Sequence, residues 1–140
     1  MNYTPSREDY LVTIYLLQQT TPLVRSIDVA KTLNLSKPSV SQSLRLLQEN
    51  GLVSFAEDHT LLLTPQGTRQ AQYIYDRYQT TVDFLTHILH VSPATACEDA
   101  RRMEHYLSKE THQKMKTLLA QKTSAPLTNP PASTKENPQS

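Results

Sequence analysis

Residues 26–51, "SIDVAKTLNLSKPSVSQSLRLLQENG", constrain the fold more than any other stretch, because helix starts and stops are written into them. Ser26 is read as the cap of a short helix that turns Ile27, Ala30 and Leu33 inward. Residues 34–36 form a tight turn. Ser36 caps a second helix, and its first turn tolerates Pro38 because no intrahelical N–H is needed there. Val40, Leu44 and Leu47 recur at helical spacing as an inward stripe, and Gly51 ends the helix. The opposite face carries Lys37, Ser39, Ser41, Gln42 and Arg45.

The flanks extend this pattern. Upstream, "SREDYLVTIYLLQQ" predicts a core helix, with Ser6 as cap, Asp9 three residues on, and Tyr10, Ile14 and Leu17 recurring at helical spacing, backed by Leu11, Tyr15 and Leu16. Downstream, "LVSFA" and "TLLL" read as two short strands joined through Glu57, Asp58 and His59. Thr64 and Pro65 open a long helix to about Leu89. Ser92 and Pro93 open another to about Leu107, and Ser108 caps a last one ending near Ala120. The expected fold class is mainly α: an N-terminal winged helix-turn-helix plus a C-terminal helical domain. The expected boundaries are 1–70 for the winged helix-turn-helix, 71–122 for the helices after it, and 123–140 for a tail. That tail, rich in Pro, Ser, Thr and Asn, cannot bury enough surface to order itself.

Composition narrows the function classes. The 140 residues carry a net charge of only +1, so no global field advertises nucleic acid or membrane. Locally, residues 22–50 set the basic Arg25, Lys31, Lys37 and Arg45 against the acidic Asp28 and Glu49. A single cysteine excludes an internal disulfide and suits a cytoplasmic setting. No signal peptide and no membrane span are expected. With only two glycines, a Gly-rich nucleotide loop is disfavoured. No nucleophile–base or paired-carboxylate arrangement points to an enzyme, and no small organic substrate is expected.

A helix fits the major groove of B-DNA and reads base edges from its N-terminal residues, while its first-turn amides favour a phosphate. Gln42 is the best base reader on the capped helix, since its amide can pair bidentately with adenine. Lys37, Arg45 and Arg25 suit phosphates, and Ser36, Ser39 and Ser41 complete the candidate DNA-binding set. His87, His90 and His112 are read as solvated helix residues, because no carboxylate or cysteine completes a metal set around them. Tyr73, Tyr75 and Tyr78 are read as dimer or interdomain packing.

Four separated segments, "TPSREDYLVTIYLL", "LSKPSVSQSLRLLQENGLV", "LLLTPQG" and "RRMEHYLS", occur in an order and at spacings that resemble the DtxR/MntR family of metal-dependent repressors. The likeness covers residues 4–120, and in length the chain is similar to the short, manganese-type branch. The resemblance implies that residues 1–70 bind DNA and that residues 71–122 are a helical dimerization and metal-sensing domain, giving a homodimer on double-stranded DNA with a palindromic operator, and a divalent metal, Mn²⁺ or Fe²⁺, that favours the DNA-competent arrangement. It also implies ligands at Asp9, Glu104 and His105. Three further ligand positions of the family are occupied here by Val12, Tyr78 and Arg101. Cys97 falls on an ancillary-site position of the iron branch.

Three outcomes stay open on these residues, the plainest being that Glu104 and His105 only partner surface charges. Asp9, Glu104 and His105 hold a metal with water completing the shell. Alternatively, Arg101, one turn before Glu104 and His105, bridges Glu104 and Asp9 in the metal's place and makes the regulator metal-independent. From a different class, the chain could be an interaction module that kept the fold and lost DNA reading.

Overall fold

The structure is a computed structural model that describes residues 5–124. It shows the expected class, mainly α with one two-stranded hairpin. Contacts divide the chain into two compact units, Met1–Asp76 and Arg77–Ser140.

In the first unit, α1 (Arg7–Thr20) starts from a reciprocal cap. The Asp9 N–H donates to the Ser6 hydroxyl at 3.2 Å, and the Ser6 N–H donates to the Asp9 carboxylate at 2.8 Å. α2 (Ser26–Leu33) begins one residue earlier than expected. Arg25, not Ser26, holds the cap position, and its N–H donates to the Asp28 carboxylate at 2.8 Å. The acid at the third helical position supplies that bond, so no serine hydroxyl is required. Asn34 then takes a left-handed conformation, φ 56°, and lets the Leu35 N–H reach the Ala30 carbonyl. α3 (Lys37–Glu49) starts as expected, with the Ser36 hydroxyl accepting the Ser39 N–H and Pro38 in the first turn. It stops at Gly51, φ 74°, where the Leu52 N–H returns to the Leu47 carbonyl.

β1 (Val53–Phe55) and β2 (Leu61–Leu63) pair antiparallel, with Val53 opposite Leu63 and Phe55 opposite Leu61. Thr64 closes the base of this wing. Its hydroxyl donates to the Gly51 carbonyl at 2.7 Å and accepts the Gly67 N–H at 3.0 Å, so one side chain joins the end of α3 to the start of α4 (Pro65–Asp83). Gly67 permits this approach, because a Cβ there would lie 2.0 Å from the Leu52 carbonyl oxygen. The core of the unit gathers Leu11, Ile14, Val29, Val40, Leu44, Leu47, Leu52, Val53 and Leu61. α1 packs on α2 and β2, and α3 packs on α2 and β1. Leu16, counted inward by spacing, is exposed.

The second unit departs further from expectation. The helical run continues past Asp83 as a π-helical segment (Phe84–Ile88), in which the Leu89 N–H reaches back five residues to the Phe84 carbonyl. α5 (Pro93–Met103) ends at Met103 rather than near Leu107. The chain turns there because the carbonyls of Glu104 and Leu107 both accept from the Arg77 guanidinium on α4. α6 (Lys109–Ser124), capped by Ser108 as expected, runs past Ala120 and takes in the first residues assigned to the tail. The rest of the expected disordered tail lies outside the described residues. Leu85, Ala96 and Ala100 form the centre of a small core, and α5 and α6 each pack on the π-helical segment. His112 is buried, against the expectation of a solvated residue, whereas His87 and His90 are exposed.

Candidate nucleic-acid interface and metal centre

Burial of Val40, Leu44 and Leu47 turns the other face of α3 outward. Ser36, Lys37, Ser39, Ser41, Gln42 and Arg45 are all exposed there, as is Arg25 ahead of α2. The Arg25 guanidinium donates to the Asp58 backbone carbonyl at 3.0 Å, so the start of α2 is tied to the tip of the wing. A concavity results, lined by Arg25, Ser26, Ile27, Lys37, Ser41, Phe55 and His59. Two cationic side chains, two serines and an imidazole line it, a donor set suited to phosphate. Gln42, Ser39 and Arg45 do not line it; they stand on the exposed face of α3.

His59 was not singled out from sequence. It sits at φ 69° in the wing turn, where the His59 N–H returns to the Ala56 carbonyl. Its only sequence signal is its place in the acidic turn "EDH". Beside it, Thr60 lowers the Asp58 carboxyl from its ordinary value, its backbone N–H donating to Oδ1 at 3.1 Å; Arg25 adds a smaller charge effect.

The metal-ligand candidates lie on the two units and are described separately. In the first, the Asp9 carboxylate serves the α1 cap, accepting the Ser6 N–H and hydroxyl. In the second, Glu104 closes the C-terminus of α5 and is 5% exposed. One of its oxygens, Oε1, lies 3.5 Å from Nδ1 of His105. The other, Oε2, lies 3.6 Å from Nε of Arg77, which is itself 6% exposed. Arg101 is exposed on the last turn of α5, and Cys97 is exposed one turn earlier. Sequence reasoning placed an arginine beside Glu104 but missed Arg77.

A family model described as the iron dependent repressor N-terminal DNA binding domain matches residues 2–61. A second, the iron dependent repressor metal binding and dimerisation domain, matches residues 64–131. The chain belongs to the DtxR/MntR family of metal-dependent transcriptional repressors. An uncharacterized HTH-type transcriptional regulator of Methanocaldococcus jannaschii is 31% identical over 115 residues, which is 81% of this chain and 92% of that protein. The HTH-type transcriptional regulator MntR of Listeria monocytogenes is 32% identical over 105 residues, 75% of this chain and 73% of its own. Among solved structures, the manganese regulator SloR superposes with a TM-score of 0.75 at 27% identity, over 84% of this chain and 55% of SloR. The chain thus spans little more than half the length of that structure. Membership makes it a DNA-binding transcriptional regulator rather than an enzyme.

The family implies a divalent metal, and the donors of the second unit fit one. A carboxylate oxygen and an imidazole nitrogen 3.5 Å apart are ligand types shared by Mn²⁺ and Fe²⁺ sites. Val12 and Tyr78, where the resemblance implies further ligands, offer neither a carboxylate nor an imidazole.

Proposed function

We propose that the protein is a dimeric repressor of the metal-homeostasis type that reads a palindromic operator through α3 and the wing. The observation that carries this reading is the capped, outward face of α3 beside a concavity holding Arg25, Lys37, Ser41 and His59. Lys37, Arg25 and His59 contact phosphate and fix the register. Gln42 reads a base edge, with Ser36, Ser39, Ser41 and Arg45 around it. The first unit is the reading head, and the second carries dimerization and metal sensing.

Glu104 and His105 are the metal donors of the second unit, and Asp9 is the donor that the family likeness implies on α1. A bound Mn²⁺ or Fe²⁺ would supply positive charge that several oxygen and nitrogen ligands share. Before that, Glu104 is held in place by Arg77 through Oε2, and His105 stands against Oε1. Arg101, which occupies a ligand position of the family, adds a fixed positive charge to the last turn of α5. No described helix is long and apolar enough to cross a membrane, and we place the protein in the cytoplasm with neither a membrane nor a small organic substrate as partner.

The deciding experiment is an electrophoretic mobility shift on genomic fragments, first with EDTA and then with each divalent metal restored. A sequence-specific shift strengthened by Mn²⁺ or Fe²⁺ is expected. Absence of any specific shift under all conditions would favour an interaction module, and an EDTA-insensitive shift would favour the metal-independent regulator.

A further inference from the structure

We propose that Arg77 is a built-in counter-cation of the Glu104–His105 pair that sets a low affinity for divalent metal. This deepens the functional reading above and rests on Glu104 and His105 being metal donors. Glu104 and Arg77 are both nearly inaccessible, and an isolated charge in either place would be costly. Arg77 is also anchored by its backbone partners, since its Nη2 donates to the carbonyls of Glu104 and Leu107. These contacts hold the guanidinium on the turn that follows α5.

Two consequences follow. First, the contact with Oε2 orients the carboxylate so that Oε1 faces the His105 ring, which presents an oxygen and a nitrogen side by side without metal. Second, the guanidinium cannot deprotonate, so its charge persists when a divalent cation approaches Oε1. The two cations repel across the same carboxylate, and burial weakens the solvent screening between them. Arg77 therefore preorganises the donors and at the same time weakens their grip. It acts through Glu104 and is a positioning residue, not a ligand.

The test is metal titration of the full chain without DNA, by calorimetry with Mn²⁺ and by the visible absorption of bound Co²⁺. Neutral replacements Arg77→Gln and Arg77→Met should bind Mn²⁺ at least tenfold more tightly than the wild type, with a stronger Co²⁺ spectrum. Arg77→Lys, which keeps the charge, should stay close to the wild type. A purely structural role would instead weaken binding in all three variants. Equal or weaker binding in a neutral variant that circular dichroism shows to be folded would overturn the proposal.

Should neither neutral variant fold, a Zn²⁺ titration of the wild type followed by NMR decides. The Arg77 Nε–H and His105 ring resonances should move together. Movement of His105 alone, or of neither at millimolar Zn²⁺, overturns the proposal. Because DNA is absent, failure of operator binding leaves this outcome unaffected, so the two readings fail separately.

Discussion

At the scale of single residues, two side-chain positions carry opposite kinds of information. Gly67 matters for what it lacks. A methyl group there would meet the Leu52 carbonyl oxygen at 2.0 Å, and backbone on both sides must shift to relieve it. Gly67→Ala should cost about 1–3 kcal/mol, an ordinary overpacking penalty, read as a lower urea midpoint with an unchanged m-value. Gln42 matters for what it presents. It stands exposed on α3, and Gln42→Ala should relax discrimination at one base position by about 1–3 kcal/mol while leaving stability unchanged. Binding to a panel of single-base operator variants checks this; an unaltered preference would mean that another side chain reads that base. His112 shows the limit of reading residues singly. It lies buried on α6 although its neighbours in sequence look solvated.

At the scale of elements, helix starts were legible because caps are local. Ser6, Ser36, Thr64 and Ser108 each bond a backbone N–H three residues on, and sequence spacing exposes such pairs. Ser26 failed because Asp28 made an equivalent bond to the Arg25 N–H, moving the start by one residue. The C-terminus of α5 failed for a different reason. No glycine or proline marks it, and the chain turns where Arg77 captures two carbonyls from another helix. The wing turn supplies a pH prediction. The Asp58 carboxyl is held below its ordinary value in the folded hairpin, chiefly by Thr60. Its stabilising effect is therefore full above the ordinary carboxylate range and is lost as pH falls toward the lowered folded value. Melting curves of Asp58→Asn and the wild type should differ at neutral pH and converge in acid; a constant difference would show that the carboxylate charge is not involved.

At the scale of the whole molecule, a nearly neutral chain must bind DNA through local charge. Affinity should fall steeply with salt, and Arg25→Ala should reduce the slope of log K against log salt by about 1, as expected for one lost phosphate contact. An unchanged slope, measured by fluorescence anisotropy on an operator duplex, would remove Arg25 from the phosphate set. Sequence alone determined the order of elements, the winged-helix pattern and the family, because caps, helical periodicity and motif spacing each act over a few residues or recur in fixed order. It also located Glu104 and His105 as a pair, since they are neighbours in the chain. Tertiary structure decided that the Arg77 guanidinium lies against Glu104. Arg77 is 27 residues away along the chain, and no periodicity links it to that carboxylate. It decided likewise that Arg25 and the wing turn, 33 residues apart, border one concavity with Lys37. Both are pairings of polar groups across packed elements, and their geometry exists only once the apolar faces have fixed where those elements lie.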